Sequence, residues 1–94
     1  MRLRVPDEVV FREVGGEAVL LNLSTGTYYG MDSVGTRMWN LLAQHGSSDQ
    51  AVRECLVEYD VDEPRVRRDL QALIAQLLEK GLLVADEERA PNAD

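Results

Sequence analysis

One histidine, one cysteine and three clustered arginines are the side chains of this 94-residue sequence with the most chemistry to offer. His45 could act as a general base only beside a nucleophile, and no spacing fixes one near it. It precedes Gly46 at the end of an amphipathic stretch, where an imidazole meets the helix dipole and the last carbonyls. Cys55 falls in an apolar stripe with Ala51, Val52, Leu56 and Tyr59, so it reads as a small buried hydrophobe. One histidine and one cysteine cannot complete a nitrogen–sulfur zinc site. Walker and dinucleotide fingerprints are missing from the sequence, and GTYYG has no phosphate loop around it. Neither catalysis nor a metal or cofactor is expected.

Arg65, Arg67 and Arg68 open the last long helical pattern, the position from which a DNA reader contacts bases. Asp62, Glu63 and Asp69 are interleaved with them, however, and the chain carries 17 acids against 10 bases, a net charge of −7. Such a surface repels nucleic acid and anionic lipid. A winged-helix DNA-binding regulator is therefore the alternative reading, and no nucleic acid is expected as partner. A subunit that merely holds an enzyme together is a third.

Ninety-four residues, 45% hydrophobic and 29% charged, suit one soluble globular domain with a modest core. No apolar run approaches the ~20 residues needed to span a bilayer. The start, MRLRVPDE, has arginines but no apolar stretch, so no secretory signal is expected. A lone cysteine fits a reducing cytoplasm.

The elements that position these residues follow from patterning. Val9–Val14 and Glu17–Leu23 are β-rich runs around Gly15-Gly16, the spacer of a tight hairpin. Pairing Val14 with Glu17 sets Phe11 opposite Leu20 and Val10 opposite Leu21. Both faces then carry apolar side chains, and the pattern does not choose the core face. Ser24-Thr25-Gly26 marks another turn before a short third strand, Thr27–Met31, at one edge of the meander. Asp32 or Ser33 caps a first helix running to His45, with Gly46 as its stop. The sole tryptophan, Trp39, is expected near that third strand.

Ser47 and Gln50 have capping-box spacing for a second helix; Asp62 caps a third, with Val61 and Val66 as a hydrophobic staple. The third helix carries Val66, Leu70, Leu73, Ile74, Leu77 and Leu78, then Gly81 with Leu82 folding back on Leu77. The expected architecture is α+β: a three-stranded antiparallel sheet followed by three helices, like a winged helix-turn-helix. Residues 1–84 form the domain, and the acidic tail 85–94 is expected to be disordered.

Thr27–Gly30 contains neither proline nor charge, the usual devices against strand addition. The apolar stripe of the third helix is wider than one contact needs. An open edge beside spare apolar surface is a dock for an extended peptide.

LNLSTGTYYGMDSVGTRMWNLL resembles the strand, turn and first helix of PqqD-like proteins, and RVRRDLQALIAQLLEKGLL resembles their third helix. Gly35, Trp39, Asp69 and Gly81-Leu82-Leu83 fall in register with that pattern. The resemblance implies a RiPP recognition element, which binds the leader of a ribosomally made precursor peptide. The short form with Tyr28-Tyr29-Gly30 is most similar to the leader-binding half of a split lasso-peptide system, with a separate leader protease as partner. The doubled tyrosine and the acidic tail set it apart from the PqqD of pyrroloquinoline quinone assembly. By position, Thr27, Tyr28, Tyr29, Gly30 and Met31 would supply the strand edge. Val66, Asp69, Leu70, Leu73 and Leu77 would line or flank the helix side. Apart from the motif, Arg67 and Arg68 are expected to meet leader acids or a polar rim.

Overall fold

A computed structural model describes residues 2–86. The chain runs β1 (Arg2–Arg4), β2 (Val9–Val14), β3 (Glu17–Asn22), β4 (Tyr28–Gly30), α1 (Ser33–His45), α2 (Ser48–Glu58), α3 (Glu63–Glu79) and β5 (Val84–Asp86). β2, β3 and β4 form the antiparallel meander, and the three helices follow it. Gly15 and Gly16 both have positive φ, 62° and 83°, as a two-residue hairpin turn demands. The register is the one the turn dictates, with Val14 opposite Glu17 and Phe11 opposite Leu20.

Burial settles which face is the core. Ala18, Leu20 and Asn22 are buried, along with Val9 and Met31, whereas Val10, Val14, Val19 and Tyr28 lie on the exposed face. Trp39 is fully buried and meets the Phe11 ring edge-on, centroids 5.3 Å apart. It therefore lies under β2, at the opposite edge of the sheet from β4. The ring contact of Trp39, expected near the third strand, is with β2.

Helix ends follow the caps. The Asp32 side chain accepts from the Gly35 amide at 2.8 Å, and the Ser47 hydroxyl accepts from the Gln50 amide at 3.2 Å. Asp62 occupies the cap position of α3 but makes no side-chain cap bond; the Val66 amide bonds its carbonyl instead. At the far end Gly81 (φ 72°) donates to the Leu78 carbonyl and Leu82 to the Leu77 carbonyl, a Schellman closure that buries Leu82.

One element was not expected. β1 and β5 pair as an antiparallel ribbon, Arg2 opposite Asp86 and Leu3 opposite Ala85. The Leu3 amide also donates to the Gly46 carbonyl, so the ribbon locks the α1–α2 turn. Ala85 and Asp86, assigned to a disordered tail, are thus strand residues; the remainder of that tail lies outside the described residues.

Asn22 joins the two parts that matter most for function. Its Oδ1 accepts from the Ser24 and Thr25 amides (2.8 and 3.1 Å), shaping the turn into β4, and its Nδ2 donates to the Gly81 carbonyl (2.8 Å) at the end of α3. One buried amide therefore fixes β4 relative to α3. Asn22→Ala removes three hydrogen bonds and is expected to cost about 2–3 kcal/mol, measured as a lowered midpoint in urea.

Candidate functional site

Among the described residues β4 is hydrogen-bonded on one side only. The Met31 amide donates to the Ala18 carbonyl (2.9 Å), and the Asn22 amide to the Thr27 carbonyl (2.8 Å). Bonded pairs alternate along an antiparallel ladder, so Tyr29 turns its amide and carbonyl to β3. Tyr28 and Gly30 turn theirs to the open side. Pairing thus spans the predicted Thr27–Met31, and its free edge offers two donors and two acceptors. Thr36 finishes the ladder: its hydroxyl accepts from the Ala18 amide at 2.7 Å, holding the start of α1 against β3.

The sheet has a second free edge, on β2. The Leu23 amide donates to the Glu8 carbonyl, which sets the parity so that Phe11 and Glu13 face outward along the backbone. β2 carries Arg12 and Glu13, charges that discourage a visiting strand, whereas β4 carries none. The unguarded edge is β4.

Beside it stands one flank of α3. Val66, Leu70, Ile74 and Leu77 form the buried line of that helix. Asp69, Leu73, Gln76 and Lys80 follow at helical spacing on the flank toward β4. Tyr29 crosses the gap. Its hydroxyl donates to Gln76 Oε1 at 2.6 Å, and Lys80 Nζ lies 5.9 Å from its ring centroid. Tyr29 and Leu73 are both half-buried against the core. Past Leu73, at the start of α3, a cavity of about 120 Å³ opens between Val34, Met38, Cys55, Tyr59, Val61, Arg65, Val66 and Asp69. The staple pair Val61 and Val66 therefore lines a hollow.

The structure divides the sequence-predicted site residues into three groups. Tyr28, Tyr29, Gly30, Leu73 and Asp69 face or border the cleft, and Thr27 and Met31 anchor the ends of its strand. Val66, Leu70 and Leu77 are buried at 4%, 1% and 0% exposure, so they form the floor rather than the wall. Arg67 is a correction: its guanidinium bonds Glu63 (2.8 Å) and Asp49 of α2 (3.3 Å), on the flank away from β4. Helical phase puts Arg68 on the solvent side. The cations that do reach this flank, Arg65 and Lys80, were not singled out for the site, nor was Gln76. Their signal was present as the i, i+4 continuation of Asp69 and Gln76.

The one thiol, Cys55, reaches the hollow from α2. Burial, reinforced by the Glu58 carboxylate, pushes the Cys55 thiol up from its ordinary range, which keeps it protonated. Glu58 bonds Arg37 between α2 and α1, and that bond holds its carboxyl below the usual value. Among the described residues no group of histidine, cysteine and carboxylates is arranged to hold a metal ion, and no helix is long and apolar enough to cross a membrane.

Two solved structures share this fold. TbiB1 in complex with the TbiA(beta) leader peptide is 40% identical, with a TM-score of 0.83 over 90% of this chain and 99% of that one. A lasso peptide synthetase B1 complexed with the leader peptide, 23% identical, shares the fold with a TM-score of 0.79 over 89% and 99% of the two chains. No curated protein matches the sequence. Matched over residues 17–83 by the family of coenzyme PQQ synthesis protein D, this chain belongs to the PqqD family.

Proposed function

We propose that this protein is a RiPP recognition element that binds the leader of a ribosomally synthesised precursor peptide by strand addition. The observation that carries it is the uncharged β4 edge, with the backbone groups of Tyr28 and Gly30 outward beside Leu73. Family membership and the leader named in the 40%-identical structure support the same reading. The leader becomes a fourth antiparallel strand. Its backbone bonds Tyr28 and Gly30, which gives affinity with little sequence demand; alternate side chains enter the cleft, which gives specificity. The hollow at Val34 and Val66 accepts an apolar leader side chain upstream of the paired segment.

The protein acts as an adaptor rather than an enzyme, in lasso-peptide-type biosynthesis. It presents the bound precursor to a separate leader protease and to another maturation enzyme, such as a cyclase, in the cytoplasm. The DNA-binding alternative loses ground because Arg67 is neutralised by Glu63 and Asp49, and Arg65 lies 4.0 Å from Asp69.

Titration with the TbiA(beta) leader peptide, followed by amide NMR, tests the reading. Saturable binding with slowed exchange at the Tyr28 and Gly30 amides is expected; no saturable complex overturns it. Leu73→Asp puts a carboxylate against the leader's apolar side chains and is expected to weaken binding by about 2 kcal/mol or more. Circular dichroism separates this from unfolding: Leu73 is half-buried, so the helical signal is expected to stay.

A further inference from the structure

Lys80 is the chain's single lysine, and it stands over Tyr29 at one end of the cleft. In a protein with a net charge of −7 its ammonium has no carboxylate within 4 Å among the described residues. The other end is acidic. Asp69 lines the hollow with Val34, and Asp32 caps α1 two residues before Val34, against the single cation Arg65. Following β4 forward, its neighbours on α3 run from Lys80 and Gln76 at Tyr29 back to Asp69 and Val66 at Val34. A strand added antiparallel to β4 runs the other way, from the acidic end to Lys80.

We propose that the cleft reads charge order along the leader: Asp69 takes a basic side chain, and Lys80 takes an acidic one farther toward the leader's C-terminus. This rests on the leader-binding reading and adds direction and chemistry to it. The spacing is set by geometry. Eleven helical residues separate Asp69 from Lys80, about 16 Å, which an extended peptide covers in roughly five residues. Side chains on one face of a strand recur every second residue, so the base and the acid stand four or six residues apart. The reversed order sets like charges together at both ends and is disfavoured, so charge selects direction as well as partner.

The test is a charge scan of the TbiA(beta) leader peptide, with each position replaced in turn by lysine and by glutamate, titrated at low salt. For the unmodified protein, one position toward the C-terminal side is expected to favour glutamate over lysine by about fivefold, the scale of an exposed ion pair. Lys80→Glu inverts the preference at that position alone. Asp69→Lys inverts the opposite preference four or six residues N-terminal to it. Both substituted positions are solvent-exposed, and melting curves check that the variants fold. A Lys80→Glu profile identical to that of the unmodified protein overturns charge reading while leaving leader binding standing. The two responsive positions in reversed order overturn it as well. No binding of any peptide overturns the leader-binding reading and the charge reading together.

Discussion

Gly30→Pro leaves the domain folded and removes most of its affinity for a leader peptide. The Gly30 amide faces away from β3, so the ladder to β3 loses nothing when proline deletes that N–H. A proline is tolerated on an edge strand with its nitrogen outward, and Tyr29 before it is already extended. The visiting strand loses a donor, and the ring occupies the space its carbonyl needs. Leaving that carbonyl unpaired costs about 1–3 kcal/mol, a five- to 150-fold rise in Kd. Calorimetric titration against the TbiA(beta) leader peptide measures the loss, and unchanged circular dichroism shows that it lies in binding. A variant that binds as tightly as the unmodified protein removes the β4 edge from the mechanism.

Trp39→Ala has the opposite profile, acting on the fold first. Trp39 is fully buried, stacks edge-on with Phe11, and belongs to the cluster that holds α1 against the sheet. Truncating a buried tryptophan costs about 3–5 kcal/mol through lost burial and the cavity left behind. A domain of this size has only about 5–15 kcal/mol to lose, so the variant is expected to forfeit a large share of its stability and to melt well below the unmodified protein. Among the described residues its buried indole Nε1 has no hydrogen-bond partner. Thermal melts monitored at 222 nm check the effect; a midpoint within a few degrees of the unmodified protein contradicts it. Because Trp39 lies under β2, its emission reports on the core and not on the cleft.

The meander was legible because its register is local. Two glycines fix the turn, the turn fixes the pairing, and alternation does the rest. The first helix was equally plain, bounded by Asp32 and Gly46. The β1–β5 ribbon was not, since three residues such as Arg2–Arg4 or Val84–Asp86 are too few for a periodic signal. Its partners are also 80 to 84 positions apart. The same limit governed the site. Sequence showed that α3 has more apolar surface than one contact uses, but not which flank faces β4. That choice depends on Asn22 tying the β3–β4 turn to Gly81, a link across 59 positions. Without it Arg67 looked as well placed as Asp69, and Gln76 and Lys80 had no reason to stand out. The buried line Val66, Leu70 and Leu77 was correctly apolar, yet only packing separates a floor from a wall.

The β1–β5 ribbon has an architectural consequence. Because Arg2 and Asp86 sit across from one another, polypeptide spliced onto either side leaves from a common spot, next to the Gly46 corner. Linkers grafted directly at Arg2 and at Asp86 would therefore start side by side, held at that corner by the Leu3–Gly46 hydrogen bond.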